Sequence, residues 1–404
     1  MTRARPRILF VADAVTLAHV ARPAVLARGL DPRRFDVHFA SDPRYARLIA
    51  DLPCPLHPIT SQPGERFLCA AARGHRLYDT ATLRAYVRAD LDLLQAVRPA
   101  VVIGDHRLSL AVSARLLAIP YLALHNAYWS PWADPATPVP DLPLTRVLGV
   151  PLAQRLFDRV WPLAAAWHSR PLNRLRREHG LPALGWDWRR PYTDADLTLY
   201  ADAEELIPTP RRPASHRYLG PVAWSPEVAL PPWWDTLPAD RPLIYVSLGS
   251  SGDPAVLARV LEALVALPVT VVAATAGRSL PGTQPANVRL LDYAPGDALC
   301  QRADLVISNG GSMGVYQALA AGKPLLGIAA HMDQQLSMHH VVKAGAGLCV
   351  RTDRLVAHEL LAAVQRLLHD QGMRLQARSL AQAIAAYDPV RTLSAILEEV
   401  LARA

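Results

Sequence analysis

The stretch VISNGGSMGVYQALAAGKP, residues 306–324, has the pattern of a strand, a tight turn and a helix. Its β-branched residues end at Ser308, two glycines follow, and helix-forming residues then run to Gly322 and Pro324. At such a turn the first backbone N–H groups of the helix have no partner and carry partial positive charge. The stretch therefore predicts a parallel α/β sheet with an anion site, best suited to a phosphate, at residues 310–312.

The two glycines alone would equally serve close packing of a strand against a helix. Two other turns in the same half of the chain favour a ligand site: LGSSGD at residues 248–253 and HMDQQ at residues 331–335. Loops at the carboxyl ends of parallel strands converge on one crevice, so these turns are expected to meet there. Asp333 and Gln334 offer a carboxylate and an amide for sugar hydroxyls, although each taken singly would be a helix cap or a turn residue.

Strand-like and helix-like runs alternate in both halves of the chain, which predicts two parallel sheets covered by helices. A segment rich in proline and tryptophan interrupts this pattern between about residues 128 and 190, and it is interpreted as a packed surface lobe or a wall of a binding site. The predicted strands are residues 7–14, 35–42, 100–105 and 120–126, and then 243–253, 269–277, 288–295, 304–311, 324–330 and 347–350. The predicted parts are an N-terminal domain at 1–217, a linker at 218–242, a C-terminal domain at 243–385, and a helix at 386–404 that could pack back on the first domain.

Composition narrows the class of protein. A chain of 404 residues with 51% hydrophobic and 19% charged residues is typical of a two-domain globular protein, and no apolar run is long enough to span a bilayer. The net charge of +8 comes mostly from scattered arginines, which disfavours nucleic acid as a partner but leaves peripheral contact with a membrane open. The four widely spaced cysteines indicate buried thiols and a cytoplasmic protein.

Two Asp-x-Asp pairs could in principle bind a divalent metal. Asp90 and Asp92 lie within a predicted helix, on a face that we expect to be solvated, and Asp194 and Asp196 lie far along the chain from the phosphate turn. Both pairs are interpreted as structural, so the sequence predicts no metal site.

From residue 240 to 350 the order and spacing of these motifs resemble the donor half of the family 1 nucleotide-sugar glycosyltransferases. These include plant UDP-glycosyltransferases and bacterial macrolide and antibiotic glycosyltransferases. The first half resembles them more loosely, through its opening βα unit, VVIGD at 101–105 and YLGP at 218–221. The resemblance implies the GT-B fold, an α/β architecture of two Rossmann-like domains facing a central cleft, with the donor bound by the C-terminal domain.

The family's phosphate motif falls by position on residues 309–324. Asn309 replaces its phosphate-binding histidine, Met313-Gly314 replaces its Gly-Thr pair, and Gln317 replaces its ribose-binding glutamate. An amide can still donate to a phosphate, whereas a glutamine oxygen accepts from one ribose hydroxyl where a carboxylate accepts from two. The resemblance implies a donor site formed by Ser250, Ser251, Tyr293 (stacking on the base), Asn309, Gly310, Gly311, Ser312, Met313, Gly314, Gln317, Asp333 and Gln334.

A transferase also needs a base, and the family keeps a catalytic histidine just after its first strand, where this chain has His19. An imidazole can accept a hydroxyl proton at neutral pH. Asp105 matches the acidic partner that orients this histidine. Without the resemblance, His19 would be a surface or helix-start residue and Asp105 a strand-end cap; His125, at a strand end, is a further candidate that could face the cleft.

Together with the residues, the resemblance implies a glycosyltransferase that moves a sugar, with inversion, from a UDP- or TDP-sugar to a hydroxyl of a small apolar, aromatic or lipid-like acceptor. The nucleotide sugar is a co-substrate, and no cofactor or metal is expected. The alternatives are a nucleotide-sugar epimerase of the same fold and a non-catalytic nucleotide-sugar-binding protein.

Overall fold

The computed structural model describes residues 5–135, 137–226, 228–280 and 285–403. The chain divides into two compact units. The first unit comprises Met1–Pro135, Gln154–Val222 and Tyr387–Ala404, and the second comprises Ala136–Ala153 and Ala223–Ala386. Residues 136–153 thus belong to the second unit although the first unit resumes after them.

Within the described residues, the first unit contains one parallel sheet of seven strands in the order β3-β2-β1-β4-β5-β6-β7. Its apolar strands are buried on both faces, as helices cover them. The strands are β1 Arg7–Ala12, β2 Asp36–Ser41, β3 Leu56–Pro58, β4 Val101–Asp105, β5 Tyr121–His125, β6 Leu197–Tyr200 and β7 His216–Tyr218. The helices up to residue 178 are α1 Ala18–Gly29, α2 Ala46–Ile49, α3 Gly64–Ala72, α4 Thr80–Val97, α5 Leu110–Leu116, α6 Pro143–Leu148 (in the second unit) and α7 Val150–Glu178.

The described part of the second unit contains a parallel sheet of six strands in the order β10-β9-β8-β11-β12-β13. The strands are β8 Leu243–Ser247, β9 Thr270–Ala274, β10 Val288–Leu291, β11 Leu305–Ser308, β12 Leu325–Ala329 and β13 Gly347–Arg351. The helices are α8 Pro254–Leu264, α9 Gly296–Arg302, α10 Ser312–Ala320, α11 Met332–Lys343, α12 Ala357–His369 and α13 Gln371–Ala385, and α14 Pro389–Arg403 follows in the first unit. The prediction of two parallel α/β sheets is confirmed.

The last helix, α14, contributes Leu393, Ile396 and Leu397 to the apolar core of the first unit. These side chains are 0–4% exposed and pack with the residues of α1 and of the first sheet. Their burial explains why the chain returns to the first unit after completing the second.

The segment between residues 128 and 190 differs most from the sequence pattern. It contains α7, a helix of 29 residues with Pro162 and Pro171 inside it. Proline disfavours helix interiors, so the sequence pattern indicated a loop there. The C-terminal half of α7 buries Leu172, Leu175 and Arg176, and this packing outweighs local propensity.

The expectation that Asp90 is solvated is wrong. Its side chain is fully buried, forms an ion pair with Arg107 at 2.9 Å and accepts a hydrogen bond from Ser109 at 2.5 Å. Asp194 is likewise held by arginines, namely Arg115 and Arg176. These carboxylates are paired structurally within the first unit.

The thiols also differ from the expectation, because only Cys300 is fully buried while Cys69 and Cys349 are exposed. No helix among the described residues is long and apolar enough to cross a membrane.

Candidate active site

The predicted catalytic and donor-binding residues lie just after strands, and each sheet has one point where its strand order reverses. In the first sheet this point lies between β1, followed by His19, and β4, which ends at Asp105. In the second sheet it lies between β8, followed by Ser251, and β11, followed by Asn309. In doubly wound sheets, ligands bind in the crevice at these points.

His19 and Asp105 form a hydrogen-bonded pair in the first unit. Nδ1 of His19 lies 2.8 Å from Oδ1 of Asp105, although 86 residues separate them in the chain. The carboxylate is fully buried, while the imidazole side chain is 17% exposed. Because a carboxylate accepts, Nδ1 donates its proton, and the lone pair of Nε2 is the basic position of the ring.

Arg22 completes this pair, and sequence reasoning missed it. Its guanidinium donates from Nε and Nη2 to the two oxygens of Asp105, at 3.1 and 2.9 Å, and from Nη1 to Oδ1 of Asn126 at 2.6 Å. Asn126 in turn donates to both oxygens of Asp202. The available signal was a charged residue three positions after His19, on the same face of a mostly apolar helix.

The charge of Asp105 depends on these neighbours. Burial disfavours the carboxylate, but the Arg22 guanidinium and His19 outweigh it and hold the pKa of Asp105 below its usual range. Asp105 therefore stays ionised, keeps its hydrogen bond to Nδ1 and can stabilise a positive charge that develops on the His19 ring.

A second imidazole stacks on the first. The ring centroid of His106 lies 4.3 Å from that of His19, with 21° between the planes. Burial, together with the charges of His19, His125 and Arg22, holds the pKa of His106 well below its usual range, so this ring is neutral. Its Nε2 is buried and has no hydrogen-bond partner among the described residues, and its backbone has a φ of 59°. The ring thus supports one face of the base.

His125, the last residue of β5, is also buried, and burial lowers its pKa to about 3. In the unfolded chain the pKa is about 6.5, so the unfolded state binds a proton first as the pH falls. We therefore expect the free energy of unfolding to decrease below about pH 6.5, with His125 contributing ~2 kcal/mol of the loss between pH 7 and pH 5. Urea unfolding of the wild type and of His125→Gln at both pH values measures this contribution. His358→Gln, at an exposed position on α12, is the matched control and should lose stability with pH as the wild type does.

Aromatic rings extend from His106 into the segment 128–190. Tyr192 lies 5.5 Å from His106 and 4.7 Å from Trp129, measured between ring centroids. Trp129 contacts Trp188 at 5.0 Å, and Trp188 contacts Trp161 of α7 at 5.4 Å. Tyr192, Trp188 and His106 are buried, and Trp129 and Trp161 are half-buried, so this aromatic cluster can offer an apolar wall beside the His19 pair.

In the second unit, Asn309 connects the two turns that flank the crevice. Its Oδ1 accepts from the N–H of Gly311 at 3.0 Å, and its Nδ2 donates to Oγ of Ser251 at 3.1 Å. Gly310 has a φ of 78°, and a Cβ there would lie 2.5 Å from Cγ of Met338, so only glycine fits. These contacts bring the Ser turn and the Asn-Gly-Gly turn together.

The helix α10 begins after Gly311, which has no side chain to cap it. Its first turn is Ser312, Met313 and Gly314, each half-buried. Backbone N–H groups at an uncapped helix start favour an anion, and nine residues of helix add the dipole. This end of the helix can stabilise a phosphate.

Arg278 is a second residue that the sequence did not reveal. Its guanidinium donates to the carbonyl oxygen of Gly249 at 2.8 Å and to that of Gly252, so it fixes both ends of the Ser turn. It also lines a cavity of about 380 Å³ at the ends of β9 and β10, together with Thr275, Gly277, Ser279, Leu280, Leu290, Leu291 and Asp292. Its charge lies close to the Ser turn, which the family resemblance implies is part of the donor site.

The Gln317 side chain is fixed by its neighbours. Its Nε2 donates to the carbonyl oxygen of Trp224 at 3.1 Å and to Oδ1 of Asp297 at 3.2 Å. A Cβ on Gly296 would lie 2.9 Å from that Nε2, so the absence of a side chain at residue 296 makes room for the amide. Only Oε1 of Gln317 is left to accept from a ligand.

The remaining predicted donor residues are Tyr293, Ser250, Asp333 and Gln334. Tyr293 is 57% exposed, as a residue that stacks on a ligand could be, and Ser250 is exposed at the tip of its turn. Asp333 lies in the first turn of α11. Gln334 is 2% exposed, and its Oε1 accepts from the N–H of Ala330 at 2.8 Å, so this oxygen is engaged within the protein. Across residues 5–135, 137–226, 228–280 and 285–403, no group of three or more His, Cys, Asp or Glu could hold a metal ion.

Comparison with known proteins gives consistent matches. A family model described as the C-terminal domain of erythromycin biosynthesis protein CIII-like proteins matches residues 258–399. The chain is 53% identical over 379 residues to a PGL/p-HBAD biosynthesis glycosyltransferase of Mycobacterium tuberculosis (strain ATCC 25177 / H37Ra), covering 94% of this chain and 89% of that one. It is 52% identical over 379 residues to a PGL/p-HBAD biosynthesis rhamnosyltransferase of Mycobacterium bovis (strain BCG / Pasteur 1173P2), covering 94% and 84%.

Solved structures share the fold. The spinosyn rhamnosyltransferase SpnG, complexed with thymidine diphosphate, matches with a TM-score of 0.70 and 21% identity, over 97% of this chain and 100% of that one. At 21% identity, this match shows a shared fold alone.

Proposed function

The chain belongs to the family 1 glycosyltransferases, and from this premise we propose that it transfers a sugar from a TDP-linked donor to a hydroxyl group of an apolar or aromatic acceptor. It is a glycosyltransferase of the GT-B fold. The donor nucleotide, the base and the type of acceptor are the parts that we propose.

The observation that carries the chemistry is the 2.8 Å hydrogen bond between His19 and Asp105. In the proposed reaction, Nε2 of His19 takes the proton of the acceptor hydroxyl as its oxygen attacks the anomeric carbon of the sugar. The bond from that carbon to the diphosphate oxygen breaks, and the electron pair leaves with the nucleoside diphosphate. Attack opposite the leaving group inverts the anomeric configuration, and Asp105 stabilises the imidazolium that forms.

The departing diphosphate needs positive charge, and we assign this role to the start of α10. The N–H groups of Ser312, Met313 and Gly314 and the amide of Asn309 are donors there, and Arg278 adds a charge behind the Ser turn. Preorganised donors of this kind stabilise a leaving phosphate without a metal. We therefore propose a metal-independent reaction with no cofactor.

A deoxyribose nucleotide fits Gln317 better than a ribonucleotide does. Both donated hydrogen bonds of its amide go to Trp224 and Asp297, so Oε1 is the one atom of the amide left for the sugar, whereas a carboxylate offers two oxygens. Thymidine diphosphate lacks the 2′-hydroxyl and needs one acceptor, whereas UDP presents two hydroxyls. The named activity of the rhamnosyltransferase relative and the thymidine diphosphate bound by SpnG agree with a TDP-linked deoxyhexose, such as TDP-rhamnose.

Gln317→Glu tests this assignment. The carboxylate can accept from both hydroxyls of a ribose, and a hydrogen bond to a charged group contributes about 1.5–3 kcal/mol, so we expect the ratio of kcat/KM for TDP-sugar over UDP-sugar to fall about tenfold or more. Initial rates with the same sugar on the two nucleotides measure the ratio.

The new carboxylate would also lie beside that of Asp297, which weakens binding of both donors. The double variant Gln317→Glu/Asp297→Asn removes this repulsion and should regain affinity while keeping the changed ratio. An unchanged ratio in both variants would contradict a role for Gln317 in nucleotide choice.

The acceptor is proposed from the aromatic cluster beside His19, in which the half-buried Trp129 packs on the buried rings of Tyr192 and Trp188. An apolar wall of this kind favours an aromatic or apolar acceptor. The two mycobacterial relatives are named for PGL/p-HBAD biosynthesis, which supports the proposal of an acceptor related to an intermediate of that biosynthesis.

The direct experiment is product analysis with TDP-rhamnose or UDP-glucose and a panel of phenols with and without an alkyl chain. We expect a glycosylated phenol and free TDP, with the anomeric configuration opposite to that of the donor by NMR. Retention of configuration, or an epimerised sugar formed from donor alone, would overturn the proposal.

A further inference from the structure

The helix α7 has an exposed apolar stripe along one face. Leu156, Val160, Leu163 and Trp167 are spaced by three or four residues, and they fall within about 60° of the helix circumference. Leu163 is 75% and Val160 57% exposed, which is unusual for aliphatic side chains at this density. The opposite face of the helix is occupied, since Ala165, Ser169 and Leu172 are buried.

Arginines border this stripe. Arg155 and Arg159 are exposed along one edge, where neither forms an ion pair with any of the residues that the structure describes. At the other end, the guanidinium of Arg76 lies 4.1 Å from the ring centroid of Trp167, and burial together with the nearby charge of Arg170 lowers the pKa of Arg76. The stripe therefore has a basic border.

An apolar stripe, a basic border and a tryptophan near one end are the features of a helix that lies in the interface of an anionic bilayer. A folded protein partner would be expected to offer carboxylates at defined positions, whereas unpaired arginines on a long flexible stem suit the diffuse negative charge of lipid headgroups. We propose that α7 docks this glycosyltransferase on the surface of an anionic membrane, with the stripe of Leu156, Val160, Leu163 and Trp167 inserted among the acyl chains. This inference concerns where the enzyme binds and is independent of which sugar it transfers.

Flotation of the whole protein with vesicles tests the docking. With vesicles of phosphatidylcholine and phosphatidylglycerol in equal amounts, we expect the wild type to float, and to bind phosphatidylcholine vesicles at least tenfold more weakly. Leu163→Glu should lower the partition to the anionic vesicles at least tenfold, because it places a charge at the most exposed position of the stripe. Leu375→Glu, at an exposed leucine on α13, is the matched control and should bind as the wild type does.

The arginine border is tested separately by Arg155→Gln/Arg159→Gln, which should lower the partition about tenfold, with Arg289→Gln as an exposed control. Binding should weaken in 0.5 M NaCl because screening shortens the range of the attraction. Transfer to a water-soluble phenol should stay unchanged in all these variants, so a failure of docking is distinct from a failure of the proposed reaction. Any of three results would overturn the inference. These are a wild type that does not float, an equal loss of binding in Leu163→Glu and Leu375→Glu, and substitutions in the stripe that change only the oligomeric state measured by size-exclusion chromatography.

Discussion

His19→Ala should abolish most glycosyl transfer while leaving the donor site intact. General base catalysis contributes about 10²–10⁴ in rate, so we expect kcat to fall about 10³-fold, with binding of TDP unchanged. The methyl group of alanine cannot accept a proton, so the variant lacks the basic Nε2 of the ring that Asp105 holds through Nδ1. Initial rates with the TDP-sugar and a phenol acceptor measure the loss, and the shift of the unfolding temperature with TDP reports the donor site.

Two comparisons make this result specific. His358→Ala removes an exposed histidine of α12 and should keep full activity. The residual rate of His19→Ala should rise with pH, because hydroxide and the ionised phenol replace the missing base. Undiminished transfer by His19→Ala, or a loss of TDP binding in parallel with activity, would contradict the assignment of His19 as the base.

Much of the fold follows from the sequence, because β-branched runs that alternate with helical runs can form few architectures other than two parallel sheets. The positions of His19, Asp105, Ser251 and Asn309 at the strand ends follow from the same patterns. Their assembly around two points of strand reversal, however, depends on the strand order, which the residues alone do not give. For these four positions, the resemblance to a known family indicated the functional roles, which local sequence patterns do not give.

The contacts that refine the site are long-range and could not be predicted. Arg22 reaches Asp105 across 83 residues of sequence, and its position three residues after His19 does not reveal which carboxylate its buried guanidinium binds. Gln317 was predicted as a weaker version of a ribose-binding glutamate, whereas the structure has its amide engaged by Trp224 and Asp297. A carboxylate would repel both of these acceptors, so glutamine is the residue that this packing requires.

The helix α7 is the clearest case in which tertiary packing prevailed over local pattern. Pro162 and Pro171 and the neighbouring tryptophans indicated a loop or lobe, and the structure has 29 helical residues there. Because the segment is helical, the spacing of Leu156, Val160 and Leu163 places their side chains on one face, which the same residues in a loop would not share.

Asp105→Asn is expected to damage stability and activity by two different routes. The substitution keeps the size of the side chain but removes the charge that compensates Arg22, and breaking a buried ion pair costs about 3–5 kcal/mol. It also removes the carboxylate that fixes the Nδ1–H tautomer of His19 and stabilises the imidazolium, so we expect kcat to fall about 10³-fold. Urea unfolding gives the first quantity, and initial rates under conditions where the variant remains folded give the second.

The double variant Asp105→Asn/Arg22→Gln separates these routes. It removes the uncompensated guanidinium, so it should recover a substantial part of the lost free energy of unfolding, while the two introduced amides can still hydrogen-bond to each other and to Asn126. Activity should remain low, because the role of Asp105 toward His19 requires a negative charge, and the pH profile of kcat should stay displaced from that of the wild type. If the double variant regained activity along with stability, Asp105 would serve only to balance Arg22, and the base in this enzyme would act without an acidic partner.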